Sequence, residues 1–364
     1  MVKCSCEPIK HQGEIFMKKR VAIVGYGGQG AWHAGHIIKS EVVSLAGIFD
    51  IAEKRVAAAK DNGIYTYPTF EDILSDKDVD IVVCATPNDV HKDIVVRSLL
   101  SGKNVICEKP VALSVGDFDD MVAAAKQAGV VLSVHQNRRW DVDYLAIKSI
   151  IESEEIGQTL NIESRIHGSR GIPSDWRCHK PEGGGMILDW GVHLIDQMLK
   201  LIPERITRVY CEKTNITTDE VDDGFNLHLV FESGKRATVE VGTYNFIAMP
   251  RFYMQCKGGS ALIEDWQKRC KVAKLLAWCE KDVLPVQTAA GITKTMAPRD
   301  ELTIKSYEIE RPTSDVHDFY RNYVRAVDGV EEQLIKNDEV RRVLLVMEAA
   351  FKSADSGESL KVDI

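Results

Sequence analysis

The feature that most constrains the fold is a short apolar strand that runs directly into a glycine-rich turn. Residues 20–24 are mostly apolar, and Gly25, Gly27 and Gly30 follow with the spacing G-x-G-x-x-G. A helical segment and a second apolar run come next, and Asp50 stands directly after that run. In a strand–turn–helix–strand unit of this kind, the glycines admit a pyrophosphate to the helix N-terminus and the acid reaches a ribose. The sequence therefore predicts a dinucleotide-binding site at this turn.

Length and charge limit the classes of protein to consider. The chain has 364 residues, enough for about two domains, and its 46 basic and 54 acidic residues give a net charge of −8. This balance argues against nucleic acid or an anionic membrane as a partner. The nine cysteines lack a zinc-binding spacing, and no apolar run has the length of a membrane span, so we expect reduced thiols in a cytoplasmic protein. Residues 1–17 show no signal-peptide pattern and are expected to be an N-terminal extension.

Strands and helices alternate from residue 18 to residue 136. This alternation predicts a Rossmann domain, with a parallel sheet covered by helices on both faces. Ligands of such sheets lie at the carboxyl ends of the strands. Each loop at that edge is compatible with a helix cap or a solvated strand end, but together they indicate a cofactor site. The loops carry Asp50, Thr86, Pro87, Asn88, His91, Glu108, Lys109 and Pro110.

Asp50 predicts which dinucleotide binds. A carboxylate at this position accepts hydrogen bonds from both ribose hydroxyls and repels a 2′-phosphate. No arginine follows Asp50 directly, although Arg55 lies one helical turn away. The sequence therefore favours NAD over NADP as the cofactor.

Residues 137–364 follow a different pattern. Segments of alternating polarity, such as 225–231, are separated by turns and surround one helix, which predicts an α+β domain with a large, mainly antiparallel open sheet. Residues 266–310 give no assignable pattern. Two amphipathic helices end the chain, the first of them capped by Thr313 or Ser314, and we expect them to pack back on the first domain.

A second glycine run, Gly183–Gly185, precedes the helix predicted at residues 187–202. Spacings of four and three place Asp189, His193 and Asp196 on one face of this helix. Such a stripe is as typical of a solvated face as of a site. The glycines favour a site, because they let backbone approach a ligand, and histidine is the natural proton acceptor near neutral pH. We expect Asp196 to orient the imidazole of His193.

In their order along the chain, these motifs resemble those of the glucose–fructose oxidoreductase / inositol dehydrogenase family (Gfo/Idh/MocA). The matching elements are the first glycine motif, the loops that begin at Thr86 and Glu108, and the second glycine run with the segment 189–196. The resemblance implies an NAD(P)-dependent enzyme that oxidises a secondary hydroxyl of a sugar, cyclitol or glycoside. It also implies a homo-oligomer, a dimer or tetramer, that assembles through the C-terminal sheet.

The resemblance further implies roles for individual residues. Lys109 would stabilise negative charge on the reacting hydroxyl, Asp189 would bind substrate hydroxyls, and His193 would be the general base. Pro110 would shape the loop of Lys109, often through a cis peptide bond in this family. No metal ion is expected. The expected cofactor-binding residues are Gly25, Tyr26, Gly27, Gly28, Gln29, Gly30, Asp50, Thr86, Pro87, Asn88, His91, Glu108, Lys109 and Gln136.

The segment before the second glycine run offers further substrate contacts. Trp176 can stack on a sugar ring and Arg177 can bind hydroxyls or a carboxylate, although a packing tryptophan and a surface arginine account for them equally well. The segment resembles that of relatives that oxidise the 3-hydroxyl of glycosidic hexoses. The expected substrate-binding residues are Lys109, His167, Trp176, Arg177, Asp189 and His193.

Two other functions are open on the same sequence. A redox-neutral, NAD-dependent glycoside lyase or hydrolase would oxidise its substrate transiently to a keto sugar and then return the hydride. A non-catalytic NAD sensor would need no reactive groups, and the joint presence of Lys109, Asp189 and His193 argues against it.

Overall fold

The computed structural model describes residues 18–277, 283–299 and 301–364. The predicted N-terminal extension, residues 1–17, lies outside them. No helix in the described part of the chain is both long and apolar enough to cross a bilayer.

The first domain is built from alternating strands and helices, as the sequence predicts. Its strands are β1 (Lys19–Val24), β2 (Val43–Phe49), β3 (Ile81–Cys84), β4 (Asn104–Cys107) and β5 (Leu132–Val134). Its helices are α1 (Gly28–Ile38), α2 (Glu53–Asp61), α3 (Phe70–Ser75), α4 (His91–Leu100) and α5 (Val115–Ala128). The strands pair in parallel in the order β2-β1-β3-β4-β5. The order reverses between β1 and β3, which places the ligand crevice of such a sheet beside the first glycine turn.

Short polar side chains and glycines set the ends of these helices. The hydroxyl of Ser114 accepts a hydrogen bond from Asp117 N at 3.1 Å at the start of α5, and Gly129, with φ +68°, ends that helix. Thr69 and Asp72 form a capping box at the start of α3. Each of these boundaries is set by residues within a few positions of the helix end.

The second domain contains one large sheet. Its strands are β6 (Thr159–His167), β7 (Ile206–Thr214), β8 (Gly224–Phe231), β9 (Arg236–Gly242), β10 (Phe252–Cys256), β11 (Gly259–Ile263), β12 (Cys270–Leu275), β15 (Ile304–Ile309) and β16 (Leu360–Lys361), with a separate hairpin of β13 (Val286–Thr288) and β14 (Gly291–Thr293). The helices are α6 (Val142–Ser153), α7 (Val192–Leu201), α8 (Asp318–Val327) and α9 (Asn337–Ser356). The strand order is β15-β12-β11-β10-β6-β9-β8-β7-β16, antiparallel except that β6 and β9 are parallel. The described part of residues 266–310 supplies β12 to β15.

One face of this sheet is covered and the other is open. Along β8, Phe225, Leu227, Leu229 and Phe231 are all buried, as their alternation predicts. Helices α7 and α9 pack against this sheet, α7 on β9 and α9 on β7. The opposite face is lined by polar residues that include Asn161 and Glu163.

The C-terminal helices reach the first domain. Tyr323 in α8 donates a hydrogen bond to Val131 O at 2.9 Å, and Glu348 in α9 accepts one from Val115 N at 2.8 Å. The prediction that Thr313 or Ser314 caps α8 is wrong, because this helix begins at Asp318. The hydroxyl of Ser314 is instead bonded to a backbone carbonyl next to α6.

Candidate functional site

The first glycine turn has the shape that a dinucleotide requires. Gly25 has φ +93°, and a Cβ there would lie 2.5 Å from Ala85 O; one on Gly30 would lie 1.9 Å from Gly25 O. These two glycines therefore allow the turn and the close packing of α1 on β1. No atom of the described residues lies within 4 Å of a Cβ on Gly27 or Gly28, at the N-terminus of α1. That open space lies where a pyrophosphate would meet the helix dipole.

Asp50 is held beside this turn. Its Oδ2 accepts a hydrogen bond from Tyr26 N at 2.7 Å, and its Oδ1 accepts one from Ala52 N at 2.8 Å. The carboxylate therefore links the end of β2 to the glycine turn. Each oxygen keeps a free lone pair for a hydroxyl donor, which fits an adenosine ribose.

Gln136 supplies a second feature that fits a bound cofactor. It follows β5 and is only 1% exposed, yet neither its amide nitrogen nor its amide oxygen has a partner among the described residues. Buried amides are almost always hydrogen-bonded, so this pair of atoms fits a polar group brought by a ligand. The glycine turn, Asp50 and Gln136 together are compatible with bound NAD.

The side chains of Asn88 and His91 are hydrogen-bonded to the backbone of loops around this crevice. Both ring nitrogens of buried His91 lie 3.0 Å from a backbone carbonyl, one that of Thr86 and the other that of Pro110. Asn88, in a 3-10 turn that follows Pro87, donates to Gly183 O at 2.9 Å. We predicted direct cofactor contacts for both residues, but the polar atoms named here are already bonded to loops. The two side chains hold together the elements that surround the cofactor site.

Glu108 is the centre of a buried hydrogen-bond network that the sequence analysis missed. Its Oε1 accepts from His33 at 2.8 Å, from His135 at 2.7 Å and from Gln29 at 3.2 Å. The other ring nitrogen of His33 is bonded to Tyr320 in α8. Burial by itself raises the pKa of Glu108, but the two histidines outweigh burial and hold that pKa well below its usual value. Glu108 is therefore an anion directly before Lys109, and its Oε2 accepts from Lys109 N at 3.2 Å.

The predicted reactive groups of the two domains meet at Asp189. The ammonium group of Lys109 donates to Asp189 O at 3.0 Å and to Asp189 Oδ1 at 2.9 Å, and Arg177 Nε donates to Oδ2 at 3.2 Å. Burial raises the pKa of Asp189, but the charges of Lys109 and Arg177 outweigh it and lower that pKa below its usual value. Asp189 is therefore ionised at neutral pH. The peptide bond between Lys109 and Pro110 is cis, as the family resemblance implies.

The helix that carries Asp189 begins with a π-helical turn, Ile187–Gly191, and continues as α7. His193 is 4% exposed and Asp196 is 2% exposed. The stripe of ionisable residues is therefore not a solvated face. The prediction that Asp196 orients His193 is wrong, because Nδ1 of His193 has no hydrogen-bond partner among the described residues and the Asp196 carboxylate is instead bonded to Arg139, at 2.6 and 2.8 Å.

His193 is a neutral imidazole in this environment. Burial lowers its pKa well below the usual value, and the nearby positive charges of Lys109 and Arg138 lower it further. Its Nδ1 is buried and has no hydrogen-bond partner in the part of the chain that the structure describes. A neutral, unpartnered imidazole beside an ammonium group can accept a proton from a hydroxyl that binds there.

The second glycine run faces protein atoms. A Cβ on Gly183 would lie 2.6 Å from Leu113 Cδ2, one on Gly184 would lie 2.3 Å from Arg177 O, and one on Gly185 would lie 2.4 Å from Asp222 Oδ1. We predicted that this run admits a ligand. The structure corrects this, because the space beside each glycine is filled by another segment of the chain.

Of the remaining predicted substrate-binding residues, two lie near Asp189 and one does not. The guanidinium group of Arg177 lies 4.5 Å from the centre of the Trp176 ring. His167 instead lies on the open face of the large sheet, where its Nε2 is 3.2 Å from Glu240 Oε1 and its Nδ1 accepts from Met249 N. The structure does not bring His167 to the cluster around Asp189.

The fold and this site define an NAD-binding oxidoreductase. Residues 19–136 match the model described as "Oxidoreductase family, NAD-binding Rossmann fold", and residues 144–262 match the Gfo/Idh/MocA C-terminal domain. The chain belongs to the Gfo/Idh/MocA family.

Individual relatives agree with this assignment. The crystal structure of an NAD-binding protein from Listeria innocua has a TM-score of 0.92 and 39% identity, over 95% of this chain and 99% of that one. The oxidoreductase C115.03 of Schizosaccharomyces pombe, whose name calls it uncharacterized, is 28% identical over 86% of this chain and 89% of its own length. The 1,5-anhydro-D-fructose reductase of Ensifer adhaerens is 32% identical over 53% of this chain and 59% of its own.

Replacing Asp50 with alanine is expected to narrow the preference for NAD over NADP. The change removes the Asp50 carboxylate, which accepts hydrogen bonds from the ribose hydroxyls and also repels a 2′-phosphate. Charged hydrogen bonds contribute about 1.5–3 kcal/mol, so NAD affinity should fall roughly 10- to 100-fold while NADP affinity changes much less. Dissociation constants of both dinucleotides measure this. Glu53→Ala, which removes an exposed acid at the start of α2, is the matched control. Wild-type protein that binds NADP as tightly as NAD would contradict the prediction.

Proposed function

We propose that the protein is an NAD-dependent dehydrogenase that oxidises a secondary hydroxyl of a sugar, cyclitol or glycoside to a ketone. One observation carries the proposal. Lys109 from the cofactor edge of the first domain contacts Asp189 from the second, and its positive charge acts on the neutral imidazole of His193, which lies four residues after Asp189 on the same helix. A cation, a carboxylate and a base in one place are the groups that alcohol oxidation requires.

Each group has a distinct role in this reaction. NAD, when bound, supplies the acceptor for the hydride of the carbinol carbon. The ammonium group of Lys109 donates a hydrogen bond to the reacting oxygen and stabilises its negative charge. His193 removes the hydroxyl proton, and Asp189 accepts hydrogen bonds from substrate hydroxyls. These roles are consistent with the lowered pKa values of His193 and Asp189.

A polyhydroxylated substrate is favoured by the surroundings of Asp189. Arg177 lies against both Asp189 and the ring of Trp176, so hydroxyl-binding groups and an aromatic ring occur side by side. By its name, the Ensifer relative acts on a sugar derivative. Within this class we propose a glycosidic hexose oxidised at its 3-hydroxyl as the first substrate to test.

A screen of sugars, inositols and glycosides with NAD tests this function. NADH absorbance should increase with at least one compound, and mass spectrometry should detect a product that is lighter than that compound by two hydrogens. His193→Ala, prepared in the same way, controls for contaminating dehydrogenases. A product that forms without NADH would instead support the redox-neutral lyase or hydrolase, and an absence of any product across the screen would contradict an enzyme of this class.

Location and assembly complete the proposal. We infer a cytoplasmic location because the described cysteines, which include Cys84 and Cys107 on neighbouring strands, are all free thiols. The open face of the large sheet is the surface through which we propose a homo-oligomer to form.

A further inference from the structure

The connection between β7 and β8 contacts the start of the helix that carries Asp189 and both ends of the loop that carries Trp176 and Arg177. It ends in two consecutive acids, Asp222 and Asp223, which are 5% and 1% exposed. Neither acid forms a salt bridge among the described residues, since both are bonded to neutral groups instead. Buried carboxylates without a cationic partner are costly, so their hydrogen bonds need a structural or functional account.

Asp222 holds the start of the helix that carries the reactive residues. Its Oδ2 accepts from Ile187 N at 2.7 Å, and its backbone carbonyl accepts from Met186 N at 3.0 Å. Its Oδ1 fills the space beside Gly185, whose carbonyl in turn accepts from Asp189 N at 3.0 Å. Asp222 therefore fixes the π-helical turn from which Asp189 projects.

The environment of Asp222 opposes its ionisation. Burial raises its pKa to about 7. A protonated carboxyl group still has an acceptor oxygen, so Asp222 can accept the hydrogen bond from Ile187 N in either protonation state.

Asp223 supports the loop that carries Trp176 and Arg177. Its carboxylate accepts hydrogen bonds from Thr214 Oγ1 at 2.9 Å, from Ile216 N at 2.6 Å, and from both the backbone and the hydroxyl of Thr217. Thr217 Oγ1 in turn accepts from Ile172 N at 3.4 Å and lies against Gly171. Asp223 therefore sets the turn on which the loop of Trp176 and Arg177 begins.

The same connection also holds the far end of that loop. Glu220 Oε1 accepts from Lys180 N at 2.9 Å. Residues 214–223 therefore anchor this loop at both of its ends. The π-helical turn Ile187–Gly191 comes next along the chain. One short segment supports both the substrate loop and the reactive helix.

We propose that Asp222 is a positioning residue for Asp189 and His193, and that Asp223 is a positioning residue for the loop of Trp176 and Arg177. The two acids are consecutive and lie directly before β8, so one segment places the reacting groups and the substrate contacts relative to each other. This inference rests on the proposed dehydrogenase function for its kinetic consequences, but not for its structural ones.

The structural part is tested by hydrogen–deuterium exchange on Asp222→Ala and Asp223→Ala in the full chain. The first variant should speed exchange at residues 185–189, because Ile187 N loses its acceptor. The second should speed exchange at residues 171–177 and at 214–217. Asp72→Ala, which removes the capping carboxylate of α3, is the control and should leave both regions unchanged. Unchanged exchange at both regions in both variants would overturn the proposal.

The kinetic part separates positioning from loss of fold. Asp222→Ala should lower kcat by about 10- to 100-fold with little change in KM, since small displacements of reacting groups have effects of this size. Asp223→Ala should raise KM by about tenfold with a smaller effect on kcat. The Asn variants, which keep an acceptor oxygen, should recover part of each loss, and NAD affinity should stay constant throughout.

The outcomes distinguish this proposal from the proposed function. Altered exchange with no turnover of any screened substrate, in variant or wild type, would leave the positioning roles standing and contradict the dehydrogenase. Turnover with equal effects of both variants on kcat and KM would contradict the division of roles. If an alanine variant does not fold, the corresponding Asn variant is measured instead, and its exchange and kinetics should change in the same direction by a smaller amount.

Discussion

Replacing His193 with alanine is expected to lower kcat by roughly 100- to 10,000-fold, the usual effect of losing a general base. The imidazole is buried, and its Nδ1 has no hydrogen-bond partner among the described residues. The positive charge of Lys109 is close enough to lower the pKa of this imidazole. NAD affinity should be nearly unchanged, because His193 belongs to the second domain and the glycine turn and Asp50 to the first. Steady-state kinetics and NAD titration measure the two effects separately.

The pH dependence of His193→Ala sharpens this prediction. Burial and the nearby cations lower the pKa of His193 well below 6.5, so the base is lost only in more acidic solution. For the wild type, kcat/KM should therefore fall on an acidic limb below pH 6.5, and this limb should vanish in the variant. His228→Ala, an exposed histidine on β8 bonded to Thr238, is the matched control and should keep the wild-type profile. Near-wild-type turnover in a correctly folded His193→Ala variant would refute the assignment of the base, and Lys109 would become the next residue to test.

Replacing Lys109 with methionine is expected to lower kcat by about 100- to 1000-fold, as the loss of one donor to a developing oxyanion commonly does. Methionine keeps the apolar part of the side chain but removes the charge. Asp189 would then remain buried with Arg177 as its only ion-pair partner in the described chain, so its pKa should rise. Activity of the variant should therefore be lost at a higher pH than in the wild type when the solution is acidified.

Kinetic pH profiles and NAD titration test the Lys109 variant. NAD affinity should fall less than kcat, because Lys109 is on the cofactor loop but the dinucleotide is held mainly at the first glycine turn. Lys92→Met, which removes an exposed lysine paired with Asp117 and Asp120, controls for the loss of one surface charge. A variant with normal kcat and a raised KM would show that Lys109 binds the ground state only, and would contradict a role in charge stabilisation.

Local features of the sequence were sufficient for the architecture. The spacing of Gly25, Gly27 and Gly30 after an apolar run predicts the first β-α unit, because these positions interact within a few residues of one another. Ser114 and Gly129 set the two ends of α5 through contacts that are equally local. The start of α8 was misplaced, since Ser314 is bonded to a residue 174 positions away rather than to its own helix.

The site itself was only partly predictable. Family motifs brought Lys109, Asp189 and His193 into one hypothesis, and in the structure Lys109 contacts Asp189. Sequence periodicity placed Asp196 on the same helix face as His193. Residues on one helix face can still bond to different neighbouring segments. Arg139, 57 residues away, takes up both carboxylate oxygens of Asp196.

The sequence by itself determined the fold class and the dinucleotide turn, because these depend on local spacing and apolar periodicity. The roles proposed for Lys109, Asp189 and His193 came from the family resemblance and not from spacing. Only the tertiary structure decided which side chains contact the residues of the site. It surrounded Glu108 with His33 and His135, and it placed Asp222 beside Gly185. Hydrogen bonds between side chains far apart in sequence depend on how strands and loops meet in space, and period-two or period-3.6 patterns carry no information about that meeting.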